Sequence, residues 1–490
     1  THCEALSGPW IHVRINGVAM GDAVRKWWDS DGTEPAAKHT YLPCEYKTGA
    51  RTVDRGCNPT CESTYLDEVF VPAPAPAPLL PPWTPTFSMA LSTTVMPCNF
   101  TGMYDFDTYP ALAKFGLVDY DWSNAKQEWV NESPMRCEAT LVEQAARTKA
   151  LNPRSKVFVY RNIVKALPWY AEIRALLADQ RFWGWFLPYK GCYDNATRTY
   201  TCGANATANL YHDHEQTPGW PGGRSSKIDG ICHNHTVPPY DAGCDCGRAD
   251  GILCGEYLFD HRNASLRAWL TTQYMGGAEY GLGNVNVDGF YLDDDWSAAG
   301  PSEEDGDCVE KMGLSKADVA NLVTAWEGNM AACQAAIVQR GGFNWQLFES
   351  ISAPSKGKEC SAFLREAATT TSRFQTRAMR LELGYAFNKD FSGGALTHFD
   401  LDLGIFLAAR GNYSWLGYGW MGCGCGWEHN GVMPCNIYDR PAALDVDYGV
   451  PIGRVKETKQ GSGIFHREWT KATVRVDCNA YDATITMKKR

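Results

Sequence analysis

Short apolar runs and amphipathic stretches alternate along the chain from residue 87 onward. Apolar runs of about four to eight residues are typical of buried strands, and apolar spacings of three and four are typical of helices. Eight runs are predicted as strands: 87–95, 115–118, 157–160, 183–187, 287–292, 343–348, 378–385 and 412–420. Helical spacing occurs between them at 138–150, 170–177, 264–273, 316–340, 362–376 and 399–409. This alternation predicts an α/β fold, a (β/α)8 TIM barrel over residues 86–455.

The pattern changes outside the predicted barrel. Residues 1–70 contain four cysteines and are predicted as a small disulfide-stapled module. Residues 71–85 are Ala-Pro-rich, which predicts a stiff polyproline linker, and their repeat resembles the O-glycosylated segments of wall glycoproteins. Within the barrel, residues 190–256 are predicted as a disulfide-rich insertion. Over residues 456–490 the apolar period becomes two, which indicates a short antiparallel β appendage.

Cysteines and sequons favour an oxidising, extracellular compartment. The 490-residue chain has 19 cysteines spread over its length, and the odd number leaves one thiol free or open to an intermolecular bridge. Thr1 stands where a Met would begin a new chain, which we interpret as removal of a signal peptide. We therefore expect a secreted glycoprotein. Asn-x-Ser/Thr sequons predict N-glycosylation at Asn99, Asn131, Asn195, Asn205, Asn234, Asn263 and Asn412.

Charge and motifs exclude several classes of function. The net charge is −10 and no run is rich in Lys or Arg, so we expect no nucleic-acid partner. No apolar run approaches the roughly 20 residues that span a bilayer. The chain has no phosphate loop or dinucleotide fingerprint, and no cofactor is predicted. The paired histidines at 212 and 214 lie in the insertion and are interpreted as surface residues, so no metal site is predicted.

The most informative stretch is Asn286–Trp296, NVDGFYLDDDW. An apolar strand ends there at three consecutive carboxylates, Asp293–Asp295, followed by Trp296. Parallel α/β folds place their chemistry at the carboxyl ends of the strands, which favours a catalytic carboxylate. A solvated acidic turn and a calcium-binding loop are the alternative interpretations.

Glycoside hydrolysis needs two carboxyl groups, one protonated and one ionised. We predict Asp293 as the ionised nucleophile or base, and Glu349, which follows the next strand, as the acid. Glu349 could equally be a helix-capping residue, and Arg161 a structural counter-charge. The predicted substrate contacts are Asp119, Asp121, Tyr160, Arg161, Asp295 and Trp296.

Several segments together resemble a known family. MPCNFTG, NVDGFYLDDDW, HFDLDLGIFLAARG, NYSWLGYGW, DYGVPIG and FHREWTKATVRVDC are similar to segments of secreted glycoside-hydrolase-like TIM-barrel proteins. The resemblance covers about residues 87–488. It implies a barrel, a C-terminal β appendage, a catalytic position within Asp293–Asp295, and carbohydrate as the substrate class.

Two other functions are compatible with the same sequence. One is a non-catalytic extracellular structural glycoprotein, a wall, matrix or filament subunit built on a glycosidase-like barrel, with self-assembly through the N-terminal module. The other is a carbohydrate-binding protein that lacks the acid. The high content of Trp and Tyr, 18 and 23 residues, suits sugar rings as well as protein cores.

Overall fold

The computed structural model describes residues 3–4, 12–13 and 79–489, with gaps at 98, 100–101, 105, 107–109, 130–131, 133, 205–208, 214–251, 253–254, 303, 305, 347–350, 353–356, 371–378, 383–398 and 418–439. The chain divides into two compact units, Thr1–Pro78 and Leu79–Arg490. In the first unit, strand β1 (Cys3–Glu4) pairs antiparallel with strand β2 (His12–Val13). Most of the predicted disulfide-stapled module lies outside the described residues and stays a prediction.

The second unit alternates strands and helices. Its strands are β3 (Thr93–Val95), β4 (Leu117–Tyr120), β5 (Lys156–Asn162), β6 (Lys165–Ala166), β7 (Tyr193–Asp194), β8 (Thr199–Tyr200), β9 (His212–Asp213), β10 (Glu256–Leu258), β11 (Gly289–Asp293), β12 (Trp296–Ser297), β13 (Gly300–Pro301), β14 (Phe343–Gln346), β15 (Ile351–Ser352), β16 (Met379–Glu382), β17 (Ser414–Gly417), β18 (Pro451–Glu457), β19 (Ile464–Trp469), β20 (Ala472–Asp477) and β21 (Asp482–Met487).

The described α-helices are α1 (Lys126–Trp129), α2 (Cys137–Leu151), α3 (Ala171–Ala178), α4 (Ala264–Trp269), α5 (Cys308–Lys311), α6 (Lys316–Gln339), α7 (Gly357–Ala368) and α8 (Phe399–Ala409). A π-helical turn, Leu270–Tyr274, continues α4. Short 3-10 helices lie at Ala90–Ser92, Pro110–Lys114, Gln180–Trp185 and Ala442–Asp445. A capping box begins α6, in which Ser315 and Asp318 satisfy each other's backbone amides. No helix in the described part of the chain is long and apolar enough to cross a membrane.

One parallel sheet organises this unit. Its strand order is β14-β11-β5-β4-β3-β17-β16-β15, and every neighbouring pair is parallel. The two edge strands follow each other in the chain, since β14 ends at Gln346 and β15 begins at Ile351. Five residues span at most about 18 Å, whereas a flat sheet of this width would hold its edges roughly 34 Å apart. The sheet is therefore curved, and the fold is α/β.

The predicted fourth strand is wrong. Residues 183–187 overlap the 3-10 helix Gln180–Trp185, and β5 pairs directly with β11 without a strand between them. The Trp183 ring N–H donates to the Leu177 carbonyl, and Phe186 stacks on Phe259. An apolar run this short does not distinguish a strand from a buried helical turn. Strand β15, which the sequence did not predict, supplies the eighth strand of the sheet instead.

Aromatic side chains fill the core face of the sheet. The rings of Phe158, Trp345 and Trp415 pack edge to face, with centroids 5.1 and 5.8 Å apart. Trp83 contacts Phe158, Trp415 and Phe343 at the amino edge of the sheet, and its ring N–H donates to the Gly341 carbonyl. The sequence assigned Trp83 to the linker. Because its ring packs against the sheet, the last residues of that predicted linker belong to the folded unit.

An antiparallel sheet follows the parallel one. Strands β18 to β21 pair in chain order, and β19 to β21 lie within the antiparallel β appendage predicted over residues 456–490. The Cys360–Cys478 disulfide joins α7 to the end of β20. A second disulfide, Cys192–Cys202, closes the β7–β8 hairpin at the start of the predicted insertion.

Candidate active site

Asp293 is the last residue of β11, at the carboxyl edge of the parallel sheet. In the register between β5 and β11, Tyr160 lies beside Tyr291 and Asn162 beside Asp293. Because side chains alternate across a strand, these four residues share the face that carries the aromatic core. The sheet therefore brings Tyr160 and Asp293 together from positions far apart in the sequence, as the interpretation of Asp293 as a site residue requires.

Hydrogen bonds connect this group of side chains. The Tyr160 hydroxyl donates to Oδ2 of Asp293 at 2.9 Å. Nδ2 of Asn162 donates to the Tyr160 hydroxyl at 3.0 Å and to Oδ2 of Asp294 at 2.6 Å. Asp293 is 7% exposed, so its carboxyl group is largely shielded from bulk water while it stays at the edge of the sheet.

The surroundings of Asp293 favour its protonated form. Burial, and then the negative charge of Asp294, raise the pKa of Asp293 well above its ordinary value, although the Tyr160 hydrogen bond opposes the shift. Burial also raises the pKa of Tyr160 well above its ordinary value, so the phenol stays a hydrogen-bond donor. The carboxyl group of Asp293 therefore keeps its proton to higher pH than an exposed aspartate does.

Asp294 adopts a left-handed backbone conformation with φ of 60°, which is uncommon for a residue with a side chain. Its carboxylate accepts a hydrogen bond from the Ser302 hydroxyl at 2.8 Å and lies 3.3 Å from Nζ of Lys165. Lys165 also pairs with Glu256 at 2.8 Å. Burial alone would lower the pKa of Lys165, but the charges of Asp294, Glu256 and Glu304 hold it well above its ordinary value. These contacts fix the turn that follows Asp293.

Asp295 and Trp296 complete the predicted acidic tip. Asp295 is half-buried, and its backbone exchanges hydrogen bonds with Ser302, both of 2.9 Å. Trp296 is buried at the start of the β12–β13 hairpin. Of the three aspartates, Asp295 is therefore the most accessible to a ligand, whereas Trp296 belongs to the buried core.

Arg161 does not reach the site, which corrects its prediction as a substrate contact. It lies on the opposite face of β5 from Tyr160 and is fully buried. Its guanidinium donates to the backbone carbonyls of Tyr160 and Tyr280, and its nearest acids are Glu138 and Glu172. Aromatic rings surround it: Tyr170, Tyr274 and Phe290. Arg161 is a structural counter-charge, although not for the aspartates.

The two predicted contacts on β4 lie deeper than expected. Asp119 pairs in register with Phe158, so it sits below the carboxyl edge, and it is fully buried. Asp121 follows the strand and accepts hydrogen bonds from the backbone and hydroxyl of Ser123. Burial raises the pKa of Asp121, and its charge contributes to the raised pKa of Tyr160. Neither aspartate is exposed to a substrate in this structure.

Glu349 lies outside the described residues, and its role stays a prediction. Asn131, Asn205 and Asn234 also lie outside them. Among the described sequons, Asn195 is exposed in the β7–β8 hairpin and Asn412 is exposed before β17. Asn99 is half-buried after β3, and Asn263 caps α4, with its amide donating to the Gly184 carbonyl.

The sequence did not predict the roles of Lys165, Glu256 and Ser302. Lys165 lies in a two-residue strand, and Glu256 belongs to the margin of the insertion, so no strand or helix pattern points to either residue. No cluster of three or more His, Cys, Asp or Glu side chains suited to a metal ion occurs among the described residues.

Sequence comparison finds no matching family and no matching curated protein. Similar solved structures include an alpha-amylase from H. orenii, with 10% identity and a TM-score of 0.37, covering 79% of this chain and 89% of that one. An alpha-amylase from Geobacillus thermoleovorans in complex with acarbose has 10% identity and a TM-score of 0.36, covering 80% and 87%. A sucrose 6F-phosphate phosphorylase from Thermoanaerobacter thermosaccharolyticum has 8% identity and a TM-score of 0.36, covering 82% and 96%. All three TM-scores lie below 0.5, so function must be inferred from this chain's own residues.

Proposed function

We propose that the protein acts on a carbohydrate at the carboxyl edge of its parallel sheet, by the two-carboxyl mechanism of glycoside hydrolases. One observation carries this proposal: Asp293 is a buried carboxyl group at a strand end, hydrogen-bonded to Tyr160 at 2.9 Å, and burial raises its pKa well above the ordinary value. Glycoside hydrolysis requires such a group to protonate the oxygen of the leaving sugar.

We propose roles opposite to those predicted from the sequence, because burial raises the pKa of Asp293. Asp293 was predicted as the ionised nucleophile or base, yet its environment favours the acid. We therefore assign Asp293 the role of proton donor and Glu349 the role of ionised nucleophile or base. Strand order supports the pairing, because β14, which ends three residues before Glu349, is the direct neighbour of β11. Adjacent strands lie about 4.8 Å apart, so carboxyl groups at their tips are within reach of one sugar residue.

Tyr160 and Asn162 act through Asp293 in this proposal. The Tyr160 hydrogen bond fixes the orientation of the Asp293 carboxyl group, and Asn162 in turn holds the Tyr160 hydroxyl. Asp295, the half-buried member of the acidic tip, is positioned to contact sugar hydroxyls. We further propose that the curved sheet closes into a barrel, and that the protein is secreted. The Cys192–Cys202 and Cys360–Cys478 disulfides support an oxidising compartment.

Hydrolysis by the natively glycosylated protein tests this function. Reducing-sugar release from a panel of polysaccharides is compared for the wild type, D293N, E349Q and the control D482N, whose carboxylate is exposed on β21. General acid catalysis contributes roughly 10²–10⁴-fold, so D293N should lose that much activity and D482N none. With aryl glycosides, whose phenol leaves without protonation, D293N should recover and E349Q should not.

The other outcomes separate the competing functions. Sugar binding by the wild type without turnover would establish a carbohydrate-binding protein. If the wild type shows neither sugar binding nor turnover, the structural glycoprotein is the remaining function. Full activity of D293N on polysaccharides would show that hydrolysis takes place without Asp293, and the assignment of this site would be wrong.

A further inference from the structure

A cavity opens at the amino edge of the parallel sheet, at the opposite end of the strands from Asp293. Residues that precede or begin β3, β4, β5 and β17 line it, including Ser92, Gly116 and Ser414. Its volume is about 160 Å³. Dedicated small-molecule pockets usually measure about 300–1,000 Å³, so a freely diffusing ligand would find little surface to bind here.

The cavity wall is rigid and aromatic. Trp83 is fixed by its hydrogen bond to the Gly341 carbonyl, and the Tyr413 hydroxyl donates to the Trp83 carbonyl at 2.8 Å. The rings of Trp83 and Trp415 pack edge to face with centroids 6.3 Å apart. Because these rings are already ordered, an occupant would gain apolar contact without the cost of ordering them. Flat aromatic faces with polar edges suit the C–H surface of a sugar.

Polar groups surround the aromatic wall. Arg154 is exposed at the rim, and Lys156 places Nζ 4.7 Å from the centre of the Trp83 ring. Thr84 and Thr86 contribute hydroxyl groups. Lys156 also pairs with Asp288 at 3.0 Å. Arg154 is a hydrogen-bond donor only, which matches the acceptor oxygens of sugar hydroxyls and of an acetamido carbonyl.

An attachment point for a sugar lies on the same rim. Asn412 lines the cavity, is exposed, and begins the sequon Asn412-Tyr413-Ser414. Within the described part of the chain, its side-chain amide makes no hydrogen bond, in contrast to Asn263, whose amide caps a helix. The middle residue of the sequon, Tyr413, is itself part of the cavity wall.

We propose that Asn412 carries an N-linked glycan whose first N-acetylglucosamine residue folds back into this cavity and closes the amino end of the sheet. A tether at the rim makes the contact intramolecular, with an effective concentration in the mM range. This is how a small cavity with weak intrinsic affinity can stay occupied. The proposal is independent of hydrolysis at Asp293.

Native deglycosylation tests the proposal without any mutation. The protein, purified from a secretory host, is treated under native conditions with an amidase that removes whole N-glycans. Mass spectrometry follows release at Asn412 and at Asn195, whose exposed hairpin provides the control. A seated first sugar should slow release at Asn412 by tenfold or more. Equal release rates at the two sites, or no glycan at Asn412, would overturn the proposal.

A pair of variants provides the second measurement. N412Q should lower Tm by about 2–4 °C and increase acrylamide quenching of tryptophan fluorescence, because the half-buried Trp83 loses its cover. N195Q should leave both unchanged. If N412Q and N195Q have the same Tm and the same quenching, the glycan does not occupy the cavity.

Discussion

The Tyr160 hydroxyl donates a 2.9 Å hydrogen bond to the Asp293 carboxylate, although 133 residues separate them in the sequence. Direct pairing of β5 with β11 creates this contact, because Tyr160 and Asp293 then lie on one face of adjacent strands. The bond favours the ionised form of Asp293 against the larger effect of burial. The Tyr160 hydrogen bond therefore limits the increase in the pKa of Asp293 that burial causes.

Removing that hydroxyl should raise the pKa of Asp293 further. We expect Y160F to shift the carboxyl titration to higher pH and to reduce the free energy of unfolding by about 1–2 kcal/mol. The control is Y170F, since the Tyr170 hydroxyl donates to the Tyr160 carbonyl and does not contact Asp293. Infrared titration of the carboxyl band measures the shift. An unchanged Asp293 titration in Y160F would show that the hydrogen bond is not formed in solution.

Glu138 makes stability depend on pH. Its carboxyl group is buried at the start of α2, and burial, opposed by Arg161, raises its pKa from an ordinary 4.5 to about 8. The folded protein then binds a proton that the unfolded chain releases. Between those pH values this group lowers stability as pH rises, at up to about 1.4 kcal/mol per pH unit.

E138Q removes that titration. We expect the stability of E138Q relative to the wild type to increase as pH rises from about 4.5 to about 8, measured by urea unfolding. E143Q, which changes an exposed glutamate on the same helix, should follow the wild-type profile. Parallel profiles for E138Q and the wild type would contradict the raised pKa of Glu138.

Gly289 permits the close packing of β11. A Cβ added at this position would lie 2.0 Å from the Phe343 carbonyl oxygen and 2.4 Å from the Phe158 ring. Because one of these atoms belongs to the backbone of the neighbouring strand, G289A should destabilise the protein by 3 kcal/mol or more, at or above the usual range of roughly 1–3 for overpacking. Gly306 has open space at the same position, so G306A is the control. Equal unfolding midpoints for G289A and G306A would contradict the close β11–β14 contact.

The two described disulfides should differ in their effect on stability. Cys360–Cys478 closes a loop of 118 residues, whereas Cys192–Cys202 closes one of 10. If a disulfide acts mainly by restricting the unfolded chain, the longer loop should contribute about 2 kcal/mol more. Replacing each pair by alanine and measuring urea unfolding tests this. A larger loss for the short loop would mean that local native contacts dominate.

The sequence predicted the strand end at Asp293 more successfully than the contacts around it. The apolar run before Asp293 is long and ends abruptly at charge, and the structure places a strand end there. Arg161 was wrongly assigned because β5 was predicted to end at Tyr160. The strand continues to Asn162, so alternation directs Arg161 away from the site.

Long-range contacts could not be predicted from local patterns. The bond from Asn162 to Asp294 spans 132 residues and depends on strand register. The salt bridge from Lys165 to Glu256 likewise depends on where the chain returns to the site after the insertion. The hydrophobicity of the aromatic run at 183–187 predicted a strand. Hydrophobicity alone does not specify backbone conformation, and tertiary packing made this run a helical turn instead.

The protonation state of Asp293 tests the proposed acid most directly, since it can be measured without knowing the substrate. The measurement is the infrared difference spectrum at pH 7 between the wild type and D293N. A carboxylic acid C=O band in the wild type that is missing in D293N is the predicted result. A spectrum that shows only an ionised carboxylate for Asp293 at that pH would contradict its role as the proton donor.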